Sequence, residues 1–201
     1  MMEYDNDLVA GKLRRWETYL RNYRLPAWNE IPNIGLYMEQ VLALLKDYLD
    51  YLPPELKEEQ FITAATVNNY VHKKFMPEPV KKRYYRIHIA YLIMICTLKH
   101  SLSIATLQKM IPVGLSEAEV EEIYSAYAHR HKLTADYFTA QVRCAAGPIL
   151  HPGDPDADGT YSTTDLIASS AIVSAFARLL AEKLLLLEGH TIEDCPIHPE
   201  K

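Results

Sequence analysis

The sequence predicts an all-α fold, a bundle of helices, from three observations. Glycine is scarce, with 7 residues in a chain of 201. Apolar residues recur at three- and four-residue intervals in several segments, whereas β-branched runs that alternate at period two are absent. Hydrophobic residues make up 49% of the chain, which is enough to bury a core in one domain or in two small ones.

Prolines separate the first predicted helices. A helix is predicted from Asp5 to Arg24, ending at Leu25–Pro26. The side chain of Asn33 is predicted to cap the next helix by accepting hydrogen bonds from its first-turn amides. That helix ends at Pro53–Pro54 and carries one apolar stripe, made of Met38, Val41, Leu42, Leu45, Leu49 and Leu52.

A short third helix and a basic loop follow. Thr63 or Thr66 is predicted to cap a helix that runs to about Lys74 and cannot continue through the prolines at 77 and 79. Residues 76–85 then form an extended, basic, proline-braced segment, hereafter the 76–85 loop. Ile87–Lys99 is almost wholly apolar, which predicts a helix buried on most sides.

The C-terminal half is also predicted to be helical. A short helix covers Ser103–Met110, and a capping box at Ser116–Glu119 begins a long helix that is expected to break near Leu133–Thr134 and then resume. Gly147–Thr160 is predicted to be a loop. The last helix, about Thr164–Leu187, is apolar over a wide arc, so it lies either in the middle of the fold or against a second copy of the chain.

Positive charge is concentrated in one segment. The whole chain carries a formal charge of −5. Between Val71 and Ala90 there are six positive residues and one negative residue, Glu78, so this segment carries +5 and the remainder −10. Such an asymmetry is typical of a patch that faces phosphates on an otherwise acidic protein.

The third helix and the 76–85 loop together hold the candidate site. A helix enters the major groove of DNA, where asparagine can pair with adenine and threonine with a base or phosphate, while lysine and arginine bind the backbone. We therefore predict binding of double-stranded DNA. The residues expected to face the groove are Thr66, Asn68 and Asn69, and those expected to contact the backbone or flank it are His72, Lys73, Lys74, Lys81, Lys82, Arg83, Tyr85 and Arg86.

This segment resembles the DNA-binding head of MerR-type regulators. Their recognition helix has a Thr-aliphatic-Arg-aromatic-Tyr pattern, for which this chain has Thr66-Val67-Asn68-Asn69-Tyr70. Their wing begins Gly-aliphatic-Pro-x-Pro and carries an Arg-x-Tyr, for which this chain has Phe75-Met76-Pro77-Glu78-Pro79 and Lys82-Arg83-Tyr84-Tyr85. The match covers about 35 residues and departs from the pattern at Asn68, where Arg is usual, and at Lys74, where Gly is usual.

A second resemblance covers more of the chain. The chain is similar to a bacterial family known as domain of unknown function 1836 through Leu25-Pro26-Ala27-Trp28, Glu30-Ile31-Pro32, Leu36-Tyr37-Met38, Val67-Asn68-Asn69-Tyr70-Val71 and Pro79-Val80-Lys81-Lys82-Arg83-Tyr84. The resemblance implies a helical fold with a MerR-like helix-turn-helix. In it Leu36–Tyr51 would be the supporting helix and Thr63–Lys74 the recognition helix.

Metal binding and catalysis have little support. Asp154, Asp156, Asp158 and Asp165 have the spacing of an EF-hand calcium loop, but Pro155 stiffens it and the last position lacks the usual glutamate. Aspartates in ordinary turns and caps explain the pattern equally well. With neither an activated nucleophile nor a glycine-rich phosphate loop in the sequence, we expect no enzyme activity and no cofactor.

The chain is expected to be cytoplasmic and free of membrane spans. No stretch of about 18 uncharged apolar residues is present. The N-terminus lacks the basic-then-apolar order of a signal peptide, and three widely spaced cysteines form no disulfide framework.

These patterns favour a DNA-binding transcriptional regulator. Residues 1–100 would hold the helix-turn-helix and residues 101–201 a helical half whose last helix builds a homodimer. An unidentified small-molecule effector is compatible with the sequence. The alternative is a protein-interaction module or a small-molecule-sensing helical domain that does not bind DNA.

Overall fold

The structure is a computed structural model that describes residues 3–49, 62–151 and 162–194. The described residues are helical, with isolated β-bridges in place of strands, which confirms the predicted all-α class. They form α1 (Asn6–Asn22), a 3₁₀ turn (Trp28–Glu30), α2 (Met38–Tyr48), α3 (Ala64–His72), α4 (Arg86–Leu98), α5 (Ile104–Met110), α6 (Glu117–Ala145), α7 (Gly147–Leu150) and α8 (Thr163–Leu185).

Helix α4 is the centre of the main core. All nine residues from His88 to Cys96 are buried, which confirms the prediction of a helix enclosed on most sides. Helices α2, α5 and α6 pack around it. The same core includes Tyr91 and Tyr124, from either side of residue 100. The division of the chain at that residue stays a prediction.

Several predicted helix starts are confirmed by their caps. The Thr63 hydroxyl accepts a hydrogen bond from the Thr66 amide at 3.1 Å, and Asp5 and Ser103 cap α1 and α5 in the same way. The predicted capping box of Ser116 and Glu119 is also present. Short polar side chains stabilise these ends because the first-turn amides of a helix have no intrahelical partner.

The predicted cap at Asn33 is wrong. Helix α2 begins at Met38, and Tyr37 is its N-cap residue. The chain is still extended before that point because the backbone of Leu36 pairs with Tyr84 in an antiparallel bridge. A long-range pairing therefore delays the start of the helix.

Two predictions in the C-terminal half are also wrong. Helix α6 runs without a break through Leu133–Thr134, because it contains neither glycine nor proline. Gly147–Leu150 forms the short helix α7 instead of a loop, since Pro148 in its first turn needs no amide partner. The rest of the predicted loop, from 152 onward, lies outside the described residues.

Helix α8 begins almost where predicted but does not lie in the middle of the fold. Its N-terminus packs through Leu166 on a small second cluster formed by Ala10, Ala146, Ile149 and Leu150. Most of its other apolar side chains are exposed, so the predicted position in the middle of the fold is wrong, while packing against a second copy stays a prediction. Among the described helices, α8 alone has the length and composition that could cross a membrane.

Candidate nucleic-acid interface

Helix α3 exposes one polar face. Val67 and Tyr70 are buried against the core, and the residues at the complementary helical spacing are exposed. They are Ala65, Asn68, Asn69 and His72, hereafter the α3 exposed face. Both asparagine amides predicted to contact bases therefore lie in solvent on one side of one helix.

Thr66 lies at the margin of that face. Its hydroxyl is 2.9 Å from the Thr63 hydroxyl and the residue is half-buried. Thr66 therefore helps to stabilise the first turn of α3, and the structure leaves its predicted contact with DNA as a prediction.

The C-terminus of α3 is a Schellman motif that turns the chain sharply. The Phe75 amide donates to the Tyr70 carbonyl at 2.9 Å and the Lys74 amide to the Val71 carbonyl at 3.0 Å. The rings of Tyr70 and Phe75 lie 6.2 Å apart and complete the motif with an apolar contact. Lys74 has φ +58, the left-handed conformation that glycine adopts most easily. Lys73 and Lys74 are both exposed at this turn.

The tip of the 76–85 loop is a two-residue hairpin turn made of lysines. Val80 and Arg83 exchange backbone hydrogen bonds of 3.0 and 2.9 Å across the turn. Between them Lys81 has φ +50 and Lys82 φ +62. Two positive φ angles are typical of a type I′ turn, in which Asn-Gly is preferred. Both lysines are exposed.

The base of the 76–85 loop is tied to the segment before α2. Leu36 and Tyr84 exchange backbone hydrogen bonds of 2.8 and 2.9 Å, and Tyr84 is buried. Gly35 permits this approach, because a Cβ atom there would lie 3.1 Å from the Cβ of Arg83 and from the ring of Tyr85. Tyr84 therefore anchors the loop, while Tyr85 is half-buried.

His88 fixes the other side of the loop. Its Nδ1 accepts from the Tyr85 amide at 3.0 Å and its Nε2 lies 3.0 Å from the Glu78 carbonyl. Because Nδ1 accepts from an N–H group, Nε2 carries the proton and donates to Glu78. The buried ring thus links Glu78, near one end of the loop, and Tyr85, at the other end, to the start of α4.

The two arginines of the segment bind backbone carbonyls. Arg83 donates from Nη1 to the Gly35 carbonyl at 3.1 Å and from Nη2 to the Tyr37 hydroxyl at 2.6 Å, and its guanidinium lies 3.8 Å from the Tyr37 ring centre. Arg86 donates to the Ile31 carbonyl at 2.8 Å. Both are half-buried. These contacts orient the loop, and a phosphate contact by either arginine stays a prediction.

Four lysines remain as the exposed cations of the site: Lys73, Lys74, Lys81 and Lys82. No ion pair joins any of them to another residue in the described part of the chain. Their ammonium groups are thus available to an anionic partner.

A family model covers this whole arrangement. It is described as Domain of unknown function (DUF1836) and matches residues 26–130. The chain belongs to this family. The match begins before the 3₁₀ turn and ends within α6, so the DUF1836 region contains α3, the 76–85 loop and the residues that anchor the loop. The comparisons with curated proteins and with solved structures gave no match.

Three positioning residues of the DUF1836 region were not among the predicted site residues. Gly35, Tyr37 and His88 hold the loop in place through contacts inside the chain. His88 had a local signal, because it stands at the third position of α4, where a side chain can reach back to the amide preceding the helix. Gly35 and Tyr37 had none, since their contacts are with residues almost fifty positions away.

The aspartates considered for calcium lie outside the DUF1836 region. Asp154, Asp156 and Asp158 are outside the described residues. The Asp165 carboxylate accepts from the amide and hydroxyl of Ser162 at 3.1 and 2.7 Å, and these bonds hold its pKa below the usual range. The described ranges contain no group of three potential metal ligands.

Proposed function

We propose that the DUF1836 region binds double-stranded DNA as a MerR-like winged helix-turn-helix, and that the protein is a transcriptional regulator. Helix α3 would enter the major groove and the 76–85 loop would act as the wing on the phosphate backbone. The observation that carries the proposal is the hydrogen-bonded connection between the α3 exposed face and the four exposed lysines that follow it. As a regulator the protein would act in the cytoplasm without catalysis.

The α3 exposed face has the chemistry of base recognition. Nine residues give a helix roughly 13 Å long, about the width of the major groove. Asn68 and Asn69 lie on its solvent side, and an asparagine amide can bond both N6 and N7 of adenine. The neighbouring helix α2 packs against α3 and would be the supporting helix of the motif.

The 76–85 loop has the chemistry of a backbone contact. A left-handed lysine costs about 1–2 kcal/mol relative to the right-handed conformation. Strain of this kind tends to occur where a side chain has a function, and here it concerns Lys81 and Lys82 at the exposed tip. Two ammonium groups on a fixed turn can bind adjacent phosphates and set the register of α3.

Charge reversal at the tip tests the proposal. We expect Lys81→Glu with Lys82→Glu to weaken binding to random duplex DNA by about tenfold or more at moderate salt, because two phosphate contacts become repulsive. Fluorescence anisotropy with a labelled duplex measures the change.

A matched control separates a specific contact from net charge. Lys12→Glu with Lys109→Glu changes the net charge equally through exposed lysines on α1 and α5. We expect the control to bind almost like the wild type. Equal losses in both variants, or duplex binding that neither variant alters, would refute the proposed site. A wild type that does not bind the duplex would favour the protein-interaction or small-molecule-sensing alternative.

A further inference from the structure

We propose that α8 forms an antiparallel pair with α8 of a second copy of the chain. The pair would be centred between Ile172 and Phe176, with Lys183 opposite the partner's Asp165. This inference goes beyond DNA binding and does not depend on it.

The apolar arc of α8 is large enough for such an interface. Phe176 is 66% exposed, Leu179 60% and Leu180 59%, while Ile172 and Val173 exceed 50%. At 100° per residue these five span an arc of about 120° on one side of the helix, and Ala181, which packs on the main core, lies about 80° beyond its edge. Leu166 borders the arc, but its contact with the body is confined to the N-terminal end of the helix. A monomer seldom exposes so extended an apolar surface without a partner.

The dimensions of α8 set the area that a pair of these helices could bury. Its 23 residues give a length of roughly 35 Å and a diameter of about 10 Å. Half of that cylinder is roughly 550 Å², close to the lower limit of about 600 Å² per partner for specific interfaces. The pair would therefore be a small interface, in the range of weak, concentration-dependent association.

A second copy fits α8 better than a lipid bilayer does. The uncharged stretch between Asp165 and Arg178 has only 12 residues, or about 18 Å of helix, whereas a bilayer core is about 30 Å thick. Arg178 pairs with Glu182, and Lys183 follows directly. Three charged residues in the last two turns would lie inside the membrane if the whole helix crossed it.

The charges at the two ends select the antiparallel orientation. Lys183 lies seven residues after Phe176, and Asp165 lies seven residues before Ile172. When Phe176 packs on the partner's Ile172, Lys183 therefore meets the partner's Asp165 at both ends of the pair. The carboxylate can accept this contact, because its two described hydrogen bonds both use Oδ2. A parallel pair in register would instead juxtapose like charges at both ends.

Sedimentation equilibrium of the full chain tests the pair. We expect the wild type to show twice the 23.0 kDa chain mass at micromolar concentration. Phe176→Asp should raise the dimer dissociation constant by at least about 30-fold, the effect of losing one central anchor residue. Phe176 is mostly exposed within one chain, so the variant should keep its helical circular dichroism.

The control carries the same new charge on the other side of α8. Ser174 is exposed and lies about 160° around the helix from Phe176. We expect Ser174→Asp to dimerise like the wild type. A monomeric wild type, equal effects of the two variants, or binding of the wild type to phosphatidylcholine vesicles in place of self-association would overturn the proposal.

Disulfide trapping tests the orientation. Ser169 and Leu179 are equally far from the proposed centre, so Ser169→Cys on one population should form a disulfide with Leu179→Cys on another. Both populations carry Cys144→Ser and Cys195→Ser. In the antiparallel pair two copies of Ser169→Cys lie roughly 15 Å apart along the axis and should not join. Disulfides within each population, and none between them, would overturn the antiparallel arrangement.

Discussion

At the residue scale, three lysines occupy backbone conformations that favour glycine or asparagine. Lys74, Lys81 and Lys82 all have φ between +50 and +62. A long charged side chain gains nothing locally in such a position, since the left-handed region disfavours any residue with a Cβ. If the turns direct the ammonium groups toward phosphates, as proposed, part of the folding free energy is given up to hold them there.

Replacing the turn lysines should separate stability from binding. Lys81→Asn with Lys82→Gly supplies the preferred type I′ pair, and we expect the free energy of unfolding to rise by roughly 1–3 kcal/mol while duplex affinity falls. Thermal unfolding and anisotropy measure the two effects. Lys81→Gln with Lys82→Gln is the control, since it removes the charge without relieving the backbone and should lower affinity alone. A stabilised turn that binds DNA as tightly as the wild type would contradict this explanation.

The asparagines should affect sequence preference and leave general affinity intact. Asn68→Ala with Asn69→Ala should cost about 1–3 kcal/mol for each bidentate base contact on preferred duplexes, with little change on random ones. Selection from a randomised duplex library, followed by sequencing, measures the preference. Asn22→Ala with Asn29→Ala, two exposed asparagines elsewhere, is the matched control. An unchanged consensus in the α3 variant would exclude α3 from base recognition.

Sequence reasoning located α3 and its lysines because their signals are local. A threonine cap at Thr63 or Thr66 predicted its start, and the prolines at 77 and 79 limited its end. It could not foresee that Arg83 and Arg86 would donate to the Gly35 and Ile31 carbonyls, because those contacts span 48 and 55 residues. The sequence shows where the arginines are, but only the folded structure shows which carbonyl groups they bind.

At the element scale, the helix starts that depend on local contacts were predicted correctly, and the start of α2, which depends on a long-range contact, was not. Thr63, Ser103 and Ser116 act within three residues, so their caps were predictable. The start of α2 depends on the pairing of Leu36 with Tyr84 and was missed. That pairing also couples the 76–85 loop to α2, so the position of the loop depends on how closely two backbones approach at Gly35.

A methyl group at Gly35 should loosen the loop. In Gly35→Ala the new Cβ would meet Arg83 and Tyr85 at 3.1 Å, and we expect a loss of about 1–3 kcal/mol in the free energy of unfolding. Duplex affinity should fall with it. Gly11→Ala is the control, because a Cβ there meets nothing within 4 Å inside α1 and should stabilise the helix by about 0.5–1 kcal/mol. Chemical denaturation measures the free energy of unfolding of both variants. An unchanged value for Gly35→Ala would show that the backbone at Gly35 is not closely packed against Arg83 and Tyr85.

At the scale of the whole molecule, the surface proposed for DNA binding and the one proposed for assembly are separate. The DUF1836 region ends at residue 130, whereas the exposed apolar helix α8 begins at Thr163. The basic segment carries +5 against −10 elsewhere, so positive charge is concentrated around α3 and the 76–85 loop. A dimer through α8 would present two such segments to one duplex, which raises affinity for paired half-sites. The wide apolar arc of α8 could be predicted from the sequence, but only the folded structure shows that most of the arc is exposed to solvent.

The salt dependence of duplex binding tests the central claim most directly. Each lysine–phosphate contact steepens the plot of log affinity against log salt concentration by about 0.9. We expect replacement of Lys73, Lys74, Lys81 and Lys82 by alanine to flatten the slope per chain by roughly 3 to 4 relative to the wild type, with an unchanged fold by circular dichroism. The same slope in both proteins would mean that DNA is bound elsewhere or not at all, and would contradict the account.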